Sequence, residues 1–263
     1  MSLSLAFLVP LLAVAPADTG RLTVQQVKDR LAAATSSAPA NFNGANLEGL
    51  DLGGLTLSQA SFVKARLAGA KLAGADCFAA DFTDADLAGA DLRKANLDGT
   101  TLRRATLARA DLEGASLFAT IIEAADLSGA NLRGTRIIGF LKAARLPGAD
   151  LSGADVGADA GNQSMGVMRA QFPGADLQGA ALRGTNLYKA DFSYASLREA
   201  KLNGANLANA DLVGTDFTGA DVTDAQFAKA DVAGAIFVNV VGRDRMQGLA
   251  DARNLDKATF DAR

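Results

Sequence analysis

Residues 85–117 read ADLAGADLRKANLDGTTLRRATLARADLEGASL. Leu87, Leu92, Leu97, Leu102, Leu107, Leu112 and Leu117 recur at every fifth position, each with Ala or Thr two residues before it. Extended outward, the spacing starts at Phe42 and holds for twenty positions to Ile137. A second run of fourteen goes from Phe172 to Phe237. Asp or Asn often stands just before the large residue, and Gly often two after it. A period of five suits neither regular element. On a helix each step advances about 500°, so the apolar residues would spiral over every face. On a flat strand an odd period sends successive residues to opposite faces. One interior can receive every fifth residue only if the chain bends once per repeat, and Gly, Asp and Asn suit such frequent turns. Each pentapeptide is therefore expected to be one short side of a closed coil. The large residue and the small one two before it point inward. An interior lined this way is narrow and filled, with no ligand cavity.

Composition restricts function. Half the chain is hydrophobic, but Trp is absent and aromatics make up 6%. There is no histidine, which removes the commonest general base, metal ligand and pH switch. The single cysteine, Cys77, can form no internal disulfide and no zinc site. It sits in an inward slot and reads as a buried, inert substitute for Leu. No nucleophile–base pair, metal cluster or phosphate loop is evident. The reading is a non-enzyme with no cofactor, no metal and no small-molecule substrate. The net charge of −3 argues against nucleic acid.

The pattern A-(D/N)-L-x-G, clear at Gly89-Ala90-Asp91-Leu92 and Gly204-Ala205-Asn206-Leu207, resembles the pentapeptide-repeat family over residues 40–239. The resemblance implies an all-β fold, a right-handed quadrilateral β-helix solenoid with four pentapeptides per coil. Counted straight through from 42 to 237, forty slots would make about ten coils and a rod roughly 48 Å long.

Between Ile137 and Phe172 the pattern stutters. Leu146, Leu151 and Val156 sit one residue early, 157–166 lose the period, and Phe172 is back in register. One residue lost and one regained would let the coil continue, with distortion at 138–145 and a loop or bulge within 157–169. The irregular stretches lie about one coil apart and should share a side of the rod. Phe118, Ile138, Phe140, Leu141, Met165 and Met168 could form one exposed apolar patch for a protein partner. The alternative is that Phe140, Leu141 and the methionines plug the irregular coil. Tyr188 and Tyr194 occupy outward slots as possible contacts. The outward Asp rows read as solvation and turn stabilisation.

The ends differ from the repeat. Residues 1–17 carry no charge, with an apolar run from Leu3 to Ala15 and A-x-A patterns at Ala13–Ala15 and Ala15–Ala17. This reads as a signal peptide, too short to span a bilayer stably, and it implies a periplasmic or lumenal protein. Residues 18–39 should hold a capping helix at about 24–34, opened by a Thr23/Gln26 capping box. Residues 240–263 read as a charged helix around 243–252 and a tail, a C-terminal cap. The leading function is an exported scaffold that presents a rigid surface to a protein partner, or an accessory subunit of a larger complex. The alternative is a cytosolic DNA mimic that binds gyrase or another topoisomerase. That reading is weakened by basic residues such as Arg93, Lys94, Arg103 and Arg104 mixed among the acids.

Overall fold

The computed structural model describes residues 20–158 and 168–261. Its organising feature is a set of parallel bridges between residues twenty apart, as in Asn41↔Ser61, Asn46↔Arg66, Asp51↔Lys71 and Thr56↔Asp76. Twenty residues are four pentapeptides, so each turn has four sides. We number the sides one to four, beginning at Asn41, Asn46, Asp51 and Thr56.

One side shows why the repeat has its residue types. Asp86 donates its amide to the Ala65 carbonyl in the preceding turn, at 2.9 Å. The amides of Leu87 and Gly89 donate to Thr106 and Ala108 in the following turn, at 2.7 and 2.9 Å. The Ala90 amide closes a β-turn onto the Leu87 carbonyl, at 3.0 Å. Only the Ala88 amide has no backbone acceptor, and the Asp86 carboxylate takes it, with Oδ1 at 3.0 Å. The same side-chain-to-amide bond recurs from Asn41, Asn96, Asp126, Asn131, Asp176, Asn206 and Asp231, among others. The residue two after the large one has φ near +60°, which explains its glycines. Non-glycine residues such as Lys64, Arg104 and Tyr194 accept the same conformation.

The interior is one continuous apolar column of Ala, Leu, Phe, Ile and Val, with Cys77 fully buried among them. Phenylalanines in matching slots stack at the turn spacing. Phe42, Phe62 and Phe82 lie 5.0 and 4.7 Å apart, Phe172 and Phe192 4.7 Å, and Phe217 and Phe237 4.8 Å. Where Thr replaces the small inward Ala, its hydroxyl donates to a carbonyl, as Thr100 does to Cys77 and Thr215 to Phe192. No buried hydroxyl is thereby left orphaned at these sites.

At the N-terminal end, helix α1 (Val24–Ala32) opens with the Thr23/Gln26 capping box. Leu22 and Val27 join the core, and the Arg30 guanidinium lies 5.8 Å from the centre of the Phe42 ring.

The expected helix around 243–252 is replaced by a further turn with longer sides. Val241, Gln247, Arg253 and Thr259 bridge to Asp221, Gln226, Asp231 and Ile236. These four residues are spaced by six. A left-handed Gly242, Gly248 or Asn254 precedes each 3-10 turn, at Arg243–Arg245, Leu249–Asp251 and Leu255–Lys257. Strands β3 (Ile236–Phe237) and β4 (Thr259–Phe260) pair in parallel. Phe260 stacks on Phe237 at 5.2 Å, and the Arg243 guanidinium lies 4.5 Å from the centre of the Phe260 ring. A guanidinium therefore accompanies an end ring of the phenylalanine stacks at both ends of the solenoid.

The mid-chain irregularity is of two kinds. β1 (Ser116–Ile121) pairs with β2 (Arg136–Phe140), and the register slips between Phe118 and Thr120. The side that starts at Arg136 has four residues, so pairing drops to nineteen, as in Ile121↔Phe140 and Asp126↔Arg145. Gly139 fills the small inward position, where a Cβ would overlap the Thr120 carbonyl oxygen. Pairing then jumps to thirty-one, as in Phe140↔Gln171 and Asp155↔Asn186. One residue is lost as expected, but the segment that restores the register carries eleven more residues than a four-sided turn, not one.

Two outcomes are expected. Asp86→Ala should lower stability by about 1 kcal/mol, because it strands a corner amide. Asp86→Asn, which keeps the acceptor, should stay within a few tenths of a kcal/mol, and urea midpoints would separate the two. The second concerns acid. Burial opposes ionisation of Asp126, Asp150, Asp216 and Asp221, but bonds from a Ser or Thr hydroxyl and amide outweigh it, and each carboxyl is held below its ordinary value. Their stabilisation is present above the unfolded carboxylate pKa of about 4 and is lost as pH falls through the lower folded values. The thermal midpoint should therefore be flat from neutral pH to about 5 and fall steeply below about 4.

Candidate functional site

The sealed interior leaves the exterior as the place for function. Each side offers three outward columns: the bridging residue, the residue after the large inward one, and the left-handed corner residue. Side four is unusual in its middle column. Successive turns there carry Ser58, Phe78, Asp98, Phe118, Ile138, Gly157 and Tyr188. Phe78 is 47% exposed and Phe118 half-buried. Asp98, between them, accepts from the Ser116 hydroxyl and the Phe118 amide and so is tied to the backbone. Phe140, 40% exposed, stands at the start of the next side.

The six sequence candidates separate on this surface. Phe118 and Phe140 are accessible. Leu141 is not: the four-residue side moves it into the inward slot, where it is 1% exposed and belongs to the core. Ile138 also departs from expectation. It pairs in register with Phe118 on the straightened strand but is 1% exposed. Met168 is half-buried, and Met165 lies outside the described residues. Phe78 was missed. Its signal was available, since it stands forty residues before Phe118 in the same column. Tyr194 is 73% exposed on side one, with its ring over Gly214, and Tyr188 is half-buried.

Several arginines on the rod are paired with carboxylates. Arg104 holds the Asp84 carboxyl below its ordinary value through a bidentate contact, with the nearer oxygen at 2.7 Å. Arg93 does the same to Asp91 at 2.7 Å. Arg103–Glu123 and Arg198–Asp216 pair at 2.9 Å, and Arg245 pairs with Asp224. The Asp rows are thus occupied by corner amides on one oxygen and frequently by guanidinium on the other. They present no bare ladder of negative charge. Burial, then the Asp76 carboxylate, pushes the Cys77 thiol up to about 12, so it carries no thiolate chemistry near neutral pH. Among the described residues no helix is long and apolar enough to cross a membrane.

A third surface feature is a corner groove of about 510 Å³ lined by Arg169, Lys189, Asn209, Lys229 and Arg253. A second groove of about 490 Å³ on side three is lined by Arg93, Lys94, Glu113 and Arg133 with intervening small residues.

Comparison with known proteins places these features in a family. The model for pentapeptide repeats matches in eight copies, over residues 40–76, 80–117, 168–204 and 200–240. No curated protein matches the chain. Among solved structures the chain is similar to HetL, a pentapeptide repeat protein involved in heterocyst differentiation regulation from the cyanobacterium Nostoc sp. strain PCC 7120. Identity is 28%, the TM-score is 0.71, and the match covers 91% of this chain and 100% of HetL. A pentapeptide repeat protein from the Arabidopsis thaliana thylakoid lumen is 33% identical over 35% of this chain and 64% of its own, with a TM-score of 0.34. QnrB1, a plasmid-mediated fluoroquinolone resistance protein, is 22% identical over 76% of this chain and 87% of its own, with a TM-score of 0.30. Repeat, four-sided turn and family model agree, and the chain belongs to the pentapeptide-repeat family.

Proposed function

We propose that this chain is a non-enzymatic, exported scaffold that offers one flank of a rigid solenoid to a protein partner, as an independent binding protein or as an accessory subunit of a larger complex. The observation that supports it most is on side four, where Phe78 and Phe118 stand outward in one column of a rod with a filled interior. Contiguous exposed apolar patches often mark contact surfaces. The corner amides and guanidinium groups that occupy many of the carboxylates favour this over imitation of a phosphate backbone. Export rests on the uncharged 1–17 segment with its Ala-x-Ala patterns, and a periplasm or comparable lumen follows from it.

Protein recovered from its native host should begin near Pro16 or Asp18 on N-terminal sequencing; an intact Met1 in the cytosol would overturn export. Phe78→Asp with Phe118→Asp should abolish co-purification of the partner and leave the thermal midpoint within a few degrees of wild type. Ile138→Asp should instead lower stability by several kcal/mol, because it buries an unpaired charge. Retention of the partner by the double variant would overturn the side-four assignment.

A further inference from the structure

We propose that the corner between sides four and one, over the C-terminal half of the solenoid, binds an extended acidic segment of a protein partner; this deepens the scaffold reading and rests on it. Lys189, Asn209 and Lys229 hold the same left-handed corner position in successive turns, and Arg169 stands likewise two residues before its bridging residue, the four preceding Gln171, Asp191, Asp211 and Asp231. Arg253 folds back toward them, its Nε donating to the Lys229 carbonyl oxygen at 3.2 Å. The five line one groove of about 510 Å³, and among the described residues no carboxylate lines it. The groove of similar size on side three includes Glu113 among its cations, and there Arg93 is committed to Asp91 and to Asp111 at 3.7 Å.

In the corner groove the two arginines have carboxylate partners, and the two lysines differ from them. Arg169 reaches Asp191 at 3.4 Å and Arg253 reaches Asp231 at 3.9 Å. Those carboxylates turn Oδ2 to the guanidinium and Oδ1 to the frame. Asp191 accepts from the Ser193 amide and hydroxyl, and Asp231 from the Ala233 amide and the Asn254 side chain. Among the described residues neither Lys189 nor Lys229 has a carboxylate within ion-pair distance. The Lys189 ammonium instead rests 5.2 Å from the centre of the Tyr188 ring. The same corner in earlier turns carries Gln59, Ala79, Gly99 and Ala119, so the cations are confined to one end.

Spacing selects the ligand. Turns rise about 4.8 Å, so Arg169 to Lys229 spans about 14 Å, too far for a single phosphate. An extended chain at about 3.3 Å per residue covers it with four or five residues, and acidic side chains on it would meet Arg169, Lys189 and Lys229, with Asn209 between the lysines. A charged row of this kind steers encounter and fixes register.

The test titrates the full chain into fluorescein-labelled oligoglutamate and follows anisotropy. Saturable binding that weakens as salt rises is expected. Lys189→Glu with Lys229→Glu should weaken it about tenfold or more, since each substitution reverses an interfacial charge. Lys71→Glu with Lys201→Glu, on side three, should leave it within about twofold. If the charge-reversed corner variant fails to melt like wild type, Lys189→Gln with Lys229→Gln replaces it. No saturable binding at low salt, or equal loss in both variants, would overturn the proposal. Equally tight binding of a short oligothymidylate, lost in the same corner variant, would overturn the choice of an acidic peptide. Capture of the partner through Phe78 and Phe118 is read separately, so the scaffold reading can stand where this one falls.

Discussion

A pentapeptide side has five backbone amides, and in this solenoid the backbone satisfies four of them. Three go to neighbouring turns and one closes the corner. The fifth, just after the large inward residue, points where no carbonyl can reach it. An Asp or Asn two residues earlier supplies the missing acceptor, as Asp86 does for Ala88 and Asn96 for Asp98. That single requirement explains why a chain of mild net charge carries so many outward carboxylates. It also decides what they are free to do. A carboxylate that already accepts a corner amide, and often a guanidinium, is part of the frame. Where Arg66 or Lys71 bridges instead, no other group among the described residues takes that role, so the bond is a frequent support and not an obligation of each side.

The same turn spacing governs the interior. Strand separation of about 4.8 Å is also a comfortable distance between parallel rings, so phenylalanines in one slot stack without adjustment. Phe42, Phe62 and Phe82 run from the first turn, and Phe217, Phe237 and Phe260 end the last. A solenoid leaves its end rings open, and here Arg30 and Arg243 come over them with the planar group that suits a ring face.

Inward positions were legible because burial repeats at fixed intervals along the chain. Outward positions were less so, because exposure depends on residues one turn away, and the turn is not always twenty residues. Leu141 shows the mechanism. Counted by fives from Ile137 it falls outside the slot, but a side of four residues places it inside. One missing residue and eleven additional ones amount to two pentapeptides, so arithmetic along the chain returned to register and concealed the size of the insertion. Ladder pairing needs no such coincidence, since each bridge is set by contact with the turn below. The last turn was hidden for a related reason. Its Val241, Gln247, Arg253 and Thr259 step by six, so a search by fives read noise and a helix in its place.

A straight side converts sequence into position along a line, and side four carries two kinds of surface in order. Phe78 and Phe118 come first, and the corner cations Lys189 and Lys229 follow on the same flank. Neither group supports the fold: the aromatics lie outside the core, and the lysine side chains have no carboxylate partner among the described residues. Elsewhere on the rod, several arginines are matched to nearby acids and most large apolar residues face inward. Exposed aromatics and a corner row of cations therefore share one edge. A partner laid along that edge would bury apolar area at one end and neutralise charge at the other, and the rigid spacing between turns would fix the distance between the two.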